Sequence, residues 1–172
     1  MRKMWLGFFT GCSKKVQMAN TATDTLTITS RAFEEGGPIP VSYTCDGEEI
    51  NPPLTVRNIP HGTATLAIIT EDPDTSKGTF DHWLVWDIPF METIEENTNP
   101  GISGTNGAGK TGYHGPCPPD GSHRYFFYVY ALDVTLSLEA GANKHQLKEA
   151  MKNHILAEGT LMGRYEKVKE TK

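Results

Sequence analysis

Several things are scarce in this sequence, and each shortage removes a class of protein. No stretch approaches the ~18 consecutive apolar residues of a membrane-spanning helix, which predicts no stable membrane insertion. Basic residues are the minority, 16 Lys and Arg against 21 Asp and Glu, and four of them (Arg2, Lys3, Lys14, Lys15) fall in residues 1–24 with one acid, Asp24. Residues 1–24 therefore carry +3 and the remainder −8. A body so acidic offers no basic footprint for a phosphate backbone, so nucleic acid is not expected as a partner. Three cysteines, with Cys45 and Cys117 separated by 72 positions, fit no zinc-site spacing. Hydrophobic residues at 37% are few for a helical protein, and neither an internal repeat nor a low-complexity segment occurs.

What is present is turn chemistry and strand pattern: 17 Gly and 11 Pro punctuate a chain of 172 residues, a length suited to one domain with its own core. Residues 1–24 read apart from it. Met1-Arg2-Lys3, the apolar run Met4–Phe9 and Thr10-Gly11-Cys12 sketch a bacterial lipoprotein signal with too short an apolar core. The competing reading is a start at Met18. The expected organisation is an extension over 1–24, disordered or signal-like, a single domain over 25–166 and a charged tail over 167–172. The expected location is the cytoplasm, with export as a lipoprotein through Cys12 as the alternative. Cys45 and Cys117 are read as small buried thiols, a disulfide being the other option in an oxidising compartment.

Alternation of polar and apolar residues predicts strands at 26–30, 41–45 and 54–56. Thr65–Thr70 is apolar enough to be central, and His82–Ile88 and His123–Leu132 follow. Residues 97–122, rich in Gly and Pro, read as a long irregular connection, a kind of loop that is usually functional. Asn143 and Gln146 form a capping-box pattern for one helix carrying Leu147, Ala150, Met151, His154 and Ile155, with Gly159 as its stop. A last short strand is expected at 161–165. The fold class is mostly β.

The polar residues that look out of place sit at strand ends. Asp72-Pro73-Asp74 follows the apolar strand, His82 heads the next, and His123 and Tyr125 share one face of the strongest strand signal with Phe127 and Val129. Gly115-Pro116-Cys117-Pro118-Pro119 leads into His123, with Gly115 leaving a backbone N–H open to a ligand. Each has an ordinary structural explanation; together they suggest polar tips converging on a pocket.

In this order and spacing, Asp72-Pro73-Asp74, His82-Trp83, Gly115-Pro116 and His123-Arg124-Tyr125 resemble the phosphatidylethanolamine-binding protein family. Gly112-Tyr113-His114-Gly115-Pro116-Cys117-Pro118-Pro119 is similar to its bacterial and archaeal Raf-kinase-inhibitor-like branch. The resemblance spans about Leu26 to Tyr165. It implies a large central antiparallel sheet, a smaller sheet packed on it and peripheral helices. It also implies a pocket for phosphate, phosphoryl headgroups or other small anions, lined by Asp72, Asp74, His82, Gly115, Pro116, His123 and Tyr125. No cofactor, metal or catalytic residue is implied, and the partners are a small phosphorylated ligand and an unidentified kinase or protease. The short Asp74–His82 loop and the single late helix depart from the animal members, which puts their kinase-regulating surface in doubt.

An anion needs donors, and protonated His82 and His123, the Tyr125 hydroxyl and the Gly115 N–H are the candidates. Asp72 is assigned to orienting an imidazole; Asp74 is placed by the motif alone. Competing readings are inhibition of a kinase or protease through the pocket rim, a two-His-plus-carboxylate metal site, and hydrolysis with Cys117 or Ser122 as nucleophile. The last has no Gly-x-Ser-x-Gly motif behind it. The chain is expected to be a monomer or homodimer.

Overall fold

The main sheet is built around the most apolar strand of the chain. In the computed structural model, which describes residues 24–167, β1 (Asp24–Thr25), β2 (Thr27–Thr29), β3 (Leu54–Arg57), β4 (Thr65–Asp72), β5 (Phe80–Pro89), β6 (Thr93–Ile94), β7 (Ile102–Ser103) and β8 (Ser122–Leu132) precede helix α1 (Lys144–Met151) and β9 (Ile155–Glu166). One sheet has the order β1-β9-β8-β4-β5-β7, the other β2-β3-β6. Every pairing between these strands is antiparallel except β1 with β9. Asp24, assigned to the extension by the sequence reading, thus pairs with Ala157. The expectations for residues 1–23 and 168–172, including Cys12, lie outside the described residues.

Alternation along the three central strands divides the core in two. Leu66 and Ile68, Trp83 and Val85, and Tyr125, Phe127 and Val129 pack under the small sheet with Leu54, Val56 and Ile94. Ala67 and Ile69, Leu84 and Trp86, and Tyr130 and Leu132 face α1 through Leu147 and Met151. A strand buried on both faces has to be apolar throughout, which is why β4 stood out in the sequence. Asp72 is its buried charged residue, at its end, and Thr65 and Thr70 are its other buried polar ones.

Three local expectations fail. Val41–Tyr43 is a 3₁₀ turn rather than a strand, because Thr44 returns both its N–H and its hydroxyl to the Val41 carbonyl at 2.9 Å, a local competition that Thr side chains offer. Helix α1 has its capping box between Asn143 and Gln146, but it ends at Met151. Asn153, at φ 66°, takes the left-handed position after it. Gly159 therefore lies inside β9, opposite Val129, where an added Cβ would sit 2.4 Å from the Leu26 carbonyl oxygen.

Within the connection over 97–122, buried Asn106 accepts the N–H groups of Ala108 and Lys110 and donates to the Gly112 carbonyl. Beyond it, His114 donates its N–H to the His82 carbonyl at 2.9 Å. This lays the 113–119 segment along the end of β5.

Candidate functional site

At the ends of β4 and β5, Asp72, Thr75, Phe80, His82 and His114 line a cavity of about 210 Å³ with Cys117, Pro118 and Pro119. Asp72 arrives from the last position of the central strand. His82 arrives through a register shift: Thr70 pairs with Trp83 but Glu71 with Asp81, so β5 carries one extra residue there. Such a bulge re-aims a side chain. His82 accordingly lies edge-on against Tyr125, ring centres 5.2 Å apart, rather than on the Leu84 and Trp86 face where strict alternation along the strand would put it.

Asp72 is fully engaged. Its Oδ2 accepts from His123 Nδ1 at 2.8 Å, and its Oδ1 accepts the Asp74 N–H at 2.8 Å. Both side chains of the Asp72–His123 pair are buried. Asp72 thus holds the His123 imidazole by its Nδ1. Tyr125, on the same face of β8 as His123, is wholly buried; neither of the two is among the residues lining the cavity, both standing behind it. The Tyr125 hydroxyl makes no hydrogen bond of normal geometry among the described residues, although Asp72 is near enough to act on it as an acceptor. Burial, with Asp72 close by, pushes the phenol far above its ordinary range. It stays protonated.

His82 differs from the expectation of a protonated donor. Its Nδ1–H donates to the His114 carbonyl at 2.7 Å, and burial, ahead of every other influence, lowers the ring to about 4. At neutral pH its remaining nitrogen, Nε2, is an acceptor. Asp74 is turned to another task. It accepts from the Arg124 backbone N–H at 2.9 Å, Nε at 2.9 Å and Nη2 at 2.6 Å, and the guanidinium holds the carboxyl at about 2. It does not line the cavity.

Gly115 and Pro116 are buried behind the lining. The Gly115 N–H, expected open to a ligand, donates to Glu49 Oε1 at 3.1 Å, and the Pro116 carbonyl accepts from Cys45 N at 3.1 Å. Cys45 and Cys117, read as thiols, form a disulfide with Cα atoms 5.4 Å apart. The reason is packing of the 44–49 turn directly on the 113–117 segment, so close that a Cβ on Gly115 would meet the Thr44 backbone at 2.9 Å. His114 and Glu49 are the residues the sequence reading missed. His114 stood unmarked inside a quoted motif, and Glu49 in an acidic turn. Among the described residues, no group of three or more His, Cys, Asp or Glu side chains is arranged to hold a metal ion.

Comparison with known proteins matches residues 29–166 to the family model described as phosphatidylethanolamine-binding protein. A UPF0098 protein of Methanothermobacter thermautotrophicus is 44% identical over 148 residues, covering 81% of this chain and 98% of that one. Its counterpart in Chlamydia trachomatis is 46% identical over 147 residues, covering 81% and 98%. Among solved structures, a phosphatidylethanolamine-binding protein homologue from Chlamydia trachomatis superimposes with a TM-score of 0.81 at 44% identity, over 84% of this chain and 99% of that one. Escherichia coli YbcL gives 0.77 at 25% identity, over 83% and 99%. With the family model running through nearly the whole described domain and relatives matched along almost their full length, this chain belongs to the phosphatidylethanolamine-binding protein family.

Proposed function

We propose that the cavity at the ends of β4 and β5 binds a small phosphoryl anion without transforming it. The observation that carries this reading is the buried Asp72–His123 pair beside the unpartnered Tyr125 hydroxyl. A buried hydroxyl without a partner calls for an explanation, and a phosphoryl oxygen is an acceptor of the right kind. In its protonated state His123 offers Nε2–H as a charge-assisted donor while Asp72 receives Nδ1–H. Neutral His82 changes the preferred ligand: its Nε2 accepts, so a phosphoryl group bearing an O–H, or a headgroup bearing an N–H, suits it better than a bare dianion. At about 210 Å³ the cavity is smaller than the roughly 300–1,000 Å³ that encloses drug-sized ligands, which fits a headgroup and not an acyl chain.

Two observations favour binding over hydrolysis. Cys117 is spent in the disulfide, and the Thr75 hydroxyl donates to the Gly78 carbonyl. The bridge also bears on location. No helix among the described residues is long and apolar enough to cross a membrane, and a disulfide with exposed Cys117 supports an oxidising compartment, hence export, over the cytoplasm expected from the sequence.

Calorimetric titration with glycerophosphoethanolamine tests the pocket. Loss of one charge-assisted bond, ~1.5–3 kcal/mol, predicts that His123→Ala binds about ten- to a hundredfold more weakly, with Tyr125→Phe losing less. Equal affinities for the wild type and both variants would remove the pocket from the reading.

A further inference from the structure

We propose that Glu49 is a built-in competitor of the anion: its carboxylate occupies the His114 imidazole at the cavity wall and the Gly115 N–H just behind it, groups that a phosphoryl oxygen would otherwise use, and so sets the affinity of the site and its selection against bare anions. This rests on the anion-binding reading above and adds a residue that neither the family pattern nor the cavity lining contains.

The geometry is that of a bound anion. One oxygen, Glu49 Oε1, accepts from the Gly115 backbone N–H at 3.1 Å and lies 2.8 Å from His114 Nδ1 as an ion-pair contact. A backbone N–H and an imidazole converging on a single charged oxygen are the kinds of group that hold phosphoryl oxygens. His114 is itself a lining residue of the cavity that Asp72 and His82 help to form.

The 113–117 segment does not need Glu49 to stay in place. The Cys45–Cys117 disulfide, the bond from Cys45 N to the Pro116 carbonyl at 3.1 Å and the bond from the Tyr113 hydroxyl to the Tyr43 carbonyl at 3.0 Å already fasten it to the 43–45 turn. Glu49 closes the 44–49 turn, with its side chain 40% exposed and its backbone at φ 58°, the left-handed region that non-glycine residues seldom adopt. A carboxylate free to leave into water, standing on donors that other bonds already position, behaves as a displaceable ligand rather than as a rivet. An incoming anion must evict it and endure its charge.

Glu49→Gln keeps the shape and removes the charge; Glu48→Gln removes the same charge one residue away and serves as the control. By calorimetry with inorganic phosphate, Glu49→Gln is expected to bind about tenfold or more tightly than wild type, the scale of one charge-assisted hydrogen bond, with Glu48→Gln unchanged. In the wild-type protein, saturating phosphate is expected to shift the Glu49 side-chain carboxyl carbon and the Gly115 amide in NMR spectra. That measurement does not depend on any variant folding. Equal or weaker phosphate binding by Glu49→Gln, a gain matched by Glu48→Gln, or unmoved Glu49 and Gly115 signals under saturating phosphate would each overturn the proposal while leaving the pocket standing. A Glu49→Gln protein that loses phosphoethanolamine affinity but not phosphate affinity would overturn it in favour of a contact to the headgroup amine. Absence of phosphate binding in both wild type and Glu49→Gln would overturn the anion site itself and this inference with it.

Discussion

Replacing His82 by Asn isolates the energetic consequence of burying a neutral imidazole at the bulge of β5. The Asn amide nitrogen can take over the donation to the His114 carbonyl, now made by Nδ1 at 2.7 Å, while losing the ring that titrates. In the folded protein that ring protonates at about 4 because burial disfavours its charge; in the unfolded chain it takes up a proton near 6.5. Between those values the unfolded state binds more protons, so stability falls as pH drops, at up to about 1.4 kcal/mol per pH unit. The contribution is fully present above 6.5 and is lost as pH falls towards 4, a total of roughly 3 kcal/mol. Urea unfolding followed by the fluorescence of buried Trp83 and Trp86 reads it directly. Between pH 7.5 and 5 the wild type is expected to lose about 2 kcal/mol more than His82→Asn, whatever constant penalty the variant carries for its missing ring. Parallel curves would show that the imidazole is solvated or charged in the fold, and would return His82 to the role of cationic donor.

Asp74→Asn is expected to lower the melting temperature by a few degrees at neutral pH, because it weakens a partly exposed clamp on Arg124. The wild-type advantage should fade as pH falls from about 4 towards 2, where the folded carboxyl finally protonates. Its glycerophosphoethanolamine affinity should be unchanged, since the Asp74 carboxylate is committed to Arg124 and turned away from the Asp72–His123 pair; calorimetry checks this. Gly159→Ala places a Cβ 2.4 Å from the Leu26 carbonyl oxygen, a backbone clash that no rotamer relieves. Overpacking of that kind costs about 1–3 kcal/mol, visible as a drop of several degrees in thermal unfolding.

What the sequence made legible was what repeats along the chain. β4, β5 and β8 carry long apolar alternations, and the Asn143–Gln146 box is a four-residue signal, so the strands and the helix start could be read locally. The helix stop could not be weighed correctly, because Asn153 and Gly159 are both competent breakers and tertiary pairing of Gly159 with Val129 decided between them. That Asp72 would accept from an imidazole followed from elementary charge logic. The direction of His82 did not, since a bulge is a property of two paired strands and leaves no mark in one of them. Glu49 was invisible for a similar reason. An acidic residue in Asp46-Gly47-Glu48-Glu49 reads as a solvated turn until the fold brings the 113–117 segment against it.

The pairing of Cys45 with Cys117 joins segments 72 residues apart, and its energetic weight follows from that separation. Closing a loop of this length in the unfolded chain is worth at most about 4 kcal/mol in the chain-entropy account, and measured values run about 2–4 kcal/mol. The Cys45→Ser/Cys117→Ser double variant is therefore expected to lose about 2–4 kcal/mol in urea unfolding. A reductant should bring the wild type down to the same level while leaving the double variant unmoved. Wild-type stability that survives reduction, verified by the mass of the alkylated thiols, would refute the assigned weight. Because Cys117 is exposed and Cys45 half-buried, cellular dithiols can reach the bond, so its state in the cell reports on the compartment. Acid-quenched alkylation of protein taken directly from its own cells should find the bridge intact; free thiols at both positions would return the protein to a reducing compartment. The site would feel that difference, since Glu49 lies four residues beyond one sulfur and Gly115 two before the other, and the bridge is one of the bonds that fasten the two segments together.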